Sequence, residues 1–255
     1  MKNKFETVLI GATFFSVGYA SHAEDCLIID RSDIVGSDYC AAMNASSCKG
    51  TYSLGALGLY RDALRRGLTD NDGRITIVPT AALLAKYISD KIPNILLGYE
   101  ITDVSEKRLT AFGSRGFFGI EANRIIDTRP VLSPRITRTA AAMLTDGTPP
   151  RELCGNDWFI QKGLYENEYI LHAVLEENDD CVTAQKKLTA LASGADKVTG
   201  TLKIAAFATE FAYFCDNIRK VATKENGITR IPSAAFKNPF EAFYGGEKYA
   251  LYNTL

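Results

Sequence analysis

The stretch Lys4-Phe-Glu-Thr-Val-Leu-Ile-Gly-Ala-Thr-Phe-Phe-Ser-Val-Gly-Tyr-Ala-Ser-His-Ala23 decides how the rest of the chain is read. Lys2 and Lys4 make the amino end positive, with only Glu6 against them. From Val8 to Ala20 the run is apolar, and it is shorter than the roughly 20 residues that span a bilayer. Small residues follow and offer a cleavage site after Ala23, or after Ala20. A positive start, an apolar middle and a small-residue end make a secretory signal peptide over residues 1–23. The reading expects a mature chain of residues 24–255, secreted or periplasmic. No later run is apolar for long enough to be a transmembrane segment.

Composition agrees with a globular product. The chain has 255 residues, with 46% hydrophobic and 23% charged. Disorder and fibrous architectures are therefore disfavoured, and the length suits one domain or two small ones. The 29 basic and 30 acidic residues give a net charge of -1, which argues against a nucleic-acid partner.

The six cysteines, Cys26, Cys40, Cys48, Cys154, Cys181 and Cys215, all follow the leader. An even number in an exported chain reads as a disulfide framework. Spacing alone leaves the connectivity open. One pair is favoured, because Cys181 precedes a helical run and Cys215 lies late in the next, so a helical hairpin would join them. No two-residue cysteine spacing supports zinc. Asp70-Asn71-Asp72-Gly73 has the look of a calcium loop, but Leu68 and Pro79 fall where the first ligand and the bidentate glutamate are needed. A polar turn is the better account.

Periodicity predicts helices over about 51–68 and from Pro79 to about Asp90. Strands are expected over Ile95–Val104 and Arg108–Phe112, with Gly113, Gly116 and Gly119 at turns. A short helix is expected over about 137–145, and the loop 146–150 would separate two halves of one domain, or two lobes. Beyond it, Ile160, Leu164, Leu171 and Leu175 form a helical stripe. Asp179 and Asp180 cap a helix that Gly194 closes. Ile204, Phe207, Phe211, Phe214, Ile218 and Val221 make the strongest helical face. The aromatic tail from Ile231 is expected to dock on the body. The expected fold is helix-rich α+β with a small central, mostly antiparallel sheet, disulfide-stabilised, in one domain.

Catalytic signatures are sparse. There is no G-x-S-x-G elbow, P-loop, G-x-G-x-x-G or H-E-x-x-H. Beyond the leader His172 is the one histidine, and on a helix Glu168 would be its neighbour at i,i+4, a surface pair. Trp158 reads as a core anchor. Arg124, Arg129, Arg135, Arg138 and Arg151 form a solvated basic run around Pro130 and Pro134.

Two fragments carry a resemblance. Leu59-Tyr60-Arg61-Asp62 resembles the start of cholera- and pertussis-type ADP-ribosyltransferase toxins, and Tyr165-Glu166-Asn167-Glu168 resembles their glutamate-x-glutamate element. The resemblance implies that Arg61 holds NAD, the substrate, and that Glu168 is catalytic beside Glu166. Ser114, in Phe112-Gly113-Ser114, is the nearest substitute for the family's Ser-Thr-Ser. A carboxylate near the nicotinamide ribose stabilises oxocarbenium-like charge, and a guanidinium suits phosphate. The leading expectation is nevertheless an exported, non-catalytic protein without a cofactor that binds a protein or small-molecule partner. The toxin-type enzyme is the alternative.

Overall fold

The computed structural model describes residues 3–45, 52–92, 94–114, 116–194 and 197–255. The stretch read as a leader forms the middle of the fold. Lys4–Ile10 is strand β1, and Phe14–Ala20 is helix α1. Cys26–Ile29 forms β2, parallel to β1 with Val8 opposite Leu27. On the other side of β1 runs the second half of β6 (Gly116–Asp127), also parallel, with Ile10 opposite Asp127. Val8, Leu9 and Ile10 are wholly buried, and every residue of α1 is buried. A parallel strand covered on both faces has no polar alternation. A helix buried all round has no polar stripe. Joined, the two give the unbroken apolar run that sequence reads as a signal peptide. Cleavage after Ala23 would take away the central strand.

Around β1 the chain builds an eight-stranded sheet. Ile95–Leu96 (β3) extends it beyond β2 in parallel, and β13 (Ile228–Arg230) lies parallel to β6 on the far side. The short β12 (Thr223–Glu225) closes that edge. Glu100–Ser105 (β4) and Arg108–Gly113 (β5) form an antiparallel meander with the first half of β6. One face of the sheet buries Val8, Ile10, Leu27 and Ile29 against Leu109 and Ile120 of the meander. The other packs under helices: α2 (Ser37–Cys40), α3 (Leu54–Arg65), α4 (Ile77–Lys91) and α6 (Pro239–Tyr252). The aromatic tail docks as α6, with Phe240 and Phe243 fully buried.

The second half of the chain is where the helix-rich expectation fails. Thr137–Thr145 is β7, Trp158–Lys162 β8, Tyr169–Val174 β9, Lys203–Phe207 β10 and Ala212–Phe214 β11. They make a five-stranded antiparallel sheet, and the loop 146–150 lies inside it, between β7 and β8. α5 (Cys181–Ser193) covers one face, capped by Asp180, whose side chain accepts the Thr183 N–H. Ala140, Ala142 and Leu144 pack toward that helix, while Ala141 and Met143 pack into the main core. Burial on both faces erases the period-two signal, so alanine-rich β7 resembles a helix. The stripe from Ile160 to Leu175 spans two strands and a turn.

The disulfide framework also fails. Cys26, Cys40, Cys154, Cys181 and Cys215 are all free thiols. Cys48 lies outside the described residues. Residues 203–207 and 212–214 are strands, so no helical hairpin brings Cys181 to Cys215, whose Sγ faces the Ala235 carbonyl at 3.3 Å. Burial pushes the Cys26 thiol up to about 12. Among the described residues no helix is long and apolar enough to cross a membrane.

Candidate functional site

In an open sheet with parallel strands, ligands enter at the carboxyl ends, where neighbouring connections diverge. Here that edge holds a cleft of about 560 Å³. Its floor is the turn after β1, Gly11-Ala12-Thr13. Gly11 has φ +104°, and a Cβ there would lie 2.7 Å from Thr128 Oγ1. Only glycine fits this position. The Ala12 N–H donates to Asp30 Oδ2 at 2.6 Å, and Asp30 Oδ1 accepts the Ser32 N–H at 3.1 Å. Asp30 directly follows β2 and is 6% exposed, with its carboxylate on the cleft wall.

Thr13 turns back to cap α1, accepting the Ser16 N–H at 3.2 Å. Its hydroxyl meets Ser16 Oγ at 3.1 Å and Thr128 Oγ1 at 3.0 Å. This hydroxyl cluster fills the space beneath the turn. Beyond it, Arg129 forks onto Asp127 at 3.0 and 2.8 Å, which raises the guanidinium's already high pKa. Arg31 approaches Glu210 at 3.5 Å. Arg230, Glu100, Phe211 and Tyr213 complete the walls. Asp38, from α2, lies at the back, accepting from Ser233 Oγ at 2.6 Å. Burial pushes its carboxyl up to about 7.

The residues singled out from sequence are scattered. Arg61 is exposed in the middle of α3. Glu166 and Glu168 lie in the turn before β9, where Glu168 Oε2 accepts the Leu164 and Tyr165 N–H groups at 3.1 and 3.3 Å. Neither glutamate lines the cleft, and nor does Arg61. Ser114 lies in the β5–β6 turn, in a shallow hollow that shares Arg31 and Glu100 with the cleft. His172 is fully buried on β9, stacked on Phe159, with Nδ1 3.0 Å from Thr139 Oγ1. Burial lowers it to about 3, so it is neutral. Glu168 is not its helical neighbour. In Asp70-Asn71-Asp72-Gly73 both carboxylates are held by Arg74, at 2.8 and 2.7 Å.

Sequence reasoning missed Gly11, Thr13, Asp30, Asp127 and Arg129 as one site. A usable signal existed: two apolar runs, Val8–Ile10 and Cys26–Ile29, end on a glycine and an acid, the order of a β-α-β nucleotide unit. Thr13 and Ser16 occupy the later two glycine places of G-x-G-x-x-G, so the pattern search fails.

No family model matches the chain, and no curated protein matches it by sequence. Solved structures do match. A flavoprotein/dehydrogenase from Cytophaga hutchinsonii aligns at TM-score 0.57 and 13% identity, over 99% of this chain and 80% of that one. The p-nitrophenol 4-monooxygenase PnpA from Pseudomonas putida aligns at 0.58 and 9%, over 99% and 79%. The myxobacterial chondrochloren halogenase CndH, described as a variant of FAD-dependent halogenases, aligns at 0.54 and 12%, over 100% and 76%. The chain spans 60% of the length of others, AlpK among them. These likenesses overturn the non-catalytic binder, the ADP-ribosyltransferase and the expectation of no cofactor. The fold is that of flavin-dependent oxidoreductases and halogenases.

Proposed function

We propose that the cleft binds flavin adenine dinucleotide and that the chain is a flavin-dependent oxidoreductase. The observation that carries this reading is the Gly11–Asp30 pair at the ends of adjacent parallel strands. An acid at the end of the second strand accepts ribose hydroxyls. Asp30 has acceptor capacity left after its two backbone bonds, since a carboxylate offers about four lone-pair sites.

The side chains present fit the group. Thr13 is 3% exposed and Ser16 is fully buried, so both are absorbed into packing below the turn. Arg230 brings positive charge to a ligand that carries phosphates, while Arg129 is held by Asp127. Phe211, just before β11, and Tyr213, within it, line the far side of the cleft. A bound flavin supplies hydride and one-electron chemistry, while the protein supplies binding, orientation and electrostatics. The test is a titration of the purified full chain with FAD, followed by flavin fluorescence. Saturable binding that weakens in Asp30→Ala supports the reading, and no binding refutes it.

A further inference from the structure

We propose that Asp38 makes occupation of this cleft by a pyrophosphate-bearing ligand dependent on uptake of a proton; the inference rests on the dinucleotide reading above. Asp38 is 6% exposed and lines the cleft. Its Oδ2 accepts from Ser233 Oγ at 2.6 Å, while Oδ1 is buried without a hydrogen-bond partner. The cleft wall carries four further carboxylates, Asp30, Glu100, Asp127 and Glu210, against three guanidiniums. Two of those guanidiniums are committed, Arg129 to Asp127 and Arg31 to Glu210. Arg230 is the third. The site is therefore net negative before any phosphate arrives.

The groups that act on the Asp38 carboxyl come from three neighbouring segments. From the first residue of α1 the Phe14 amide favours the carboxylate, as does Ser233, and from the end of β2 the Asp30 charge opposes it. On its own helix Tyr39 and Cys40 are buried and held neutral. Burial outweighs the favourable contacts and leaves the Asp38 carboxyl titrating at about 7. Above that pH the group is ionised, and an arriving pyrophosphate adds like charge in a poorly solvated place. Protonating Asp38 removes one of the opposing charges. The linkage then weakens binding by up to tenfold for each pH unit above the midpoint.

Calorimetric titration of the full chain with FAD tests this, between about pH 6 and about pH 9, in two buffers of different ionisation enthalpy. The expected result is proton uptake at the alkaline end, with a Kd rising toward tenfold per pH unit above roughly pH 7.5. Asp38→Asn flattens that slope and binds more tightly than the parent at the alkaline end. An equal slope in both proteins, or no proton uptake by the parent, overturns the inference while leaving the dinucleotide reading intact. Failure of both proteins to bind FAD at any pH overturns the reading and the inference together. If Asp38→Asn does not fold, the two-buffer measurement on the parent decides.

Discussion

Asp30 Oδ2 accepts the Ala12 N–H at 2.6 Å, so the end of β2 is tied to the turn that follows β1. The same carboxylate holds the floor of the cleft and faces its interior. Asp30→Ala leaves a buried N–H unsatisfied, at a cost of about 1–3 kcal/mol. FAD affinity should fall about tenfold or more, because charge-assisted bonds to ribose are lost with it. Asp30→Asn retains an acceptor for Ala12 and should recover most of the stability but less of the affinity. Denaturant unfolding and flavin fluorescence on the three proteins separate the two effects.

Close approach of α1 and α6 gives a second expectation. A Cβ on Gly18 would lie 2.0 Å from the Phe243 carbonyl oxygen, and one on Gly246 equally close to that of Phe15. The two backbones touch, so neither neighbour can swing aside. Gly18→Ala should lower the unfolding free energy by about 1–3 kcal/mol or more. Gly58→Ala is the control. Gly58 lies in α3, where an added Cβ would meet nothing within 4 Å, and the same change should stabilise by about 0.4–1 kcal/mol.

Two buried titrating groups act on stability in opposite directions. His172 is lowered to about 3 by burial. Its contribution is complete above roughly pH 6.5 and is lost as the pH falls toward the folded value. Near pH 4.5 the loss should reach about 2–3 kcal/mol, and His172→Gln should lose less between neutral pH and pH ~4.5. Asp38 is raised to about 7, so its effect runs the other way. Stability falls as pH rises from about 4 to about 7, and Asp38→Asn should remove that fall. Unfolding curves across this range measure both.

The parts of the fold that were legible are those with one wet face. The meander β4–β5–β6 alternates, and its glycine turns fall where Gly113 and Gly116 stand. The helices α3 and α5 have apolar stripes, and Asp180 caps α5 as the sequence suggests. What escaped was buried on both faces. β1 and α1 merge into one apolar run, and β7 hides its alternation because α5 covers one side and the main core the other. The site escaped for a related reason. Its residues are the last of one strand and the first of the next turn, so Gly11, Asp30 and Asp127 meet only once the parallel order of β2, β1 and β6 is known.

Hydrogen–deuterium exchange of the full chain with and without FAD addresses the proposed site itself. The account predicts slowed exchange in residues 11–14, 30–38 and 127–131, with the second sheet responding only near 210–213. Unchanged exchange in those segments, or protection confined to the separate hollow between Cys215 and α6, would contradict it.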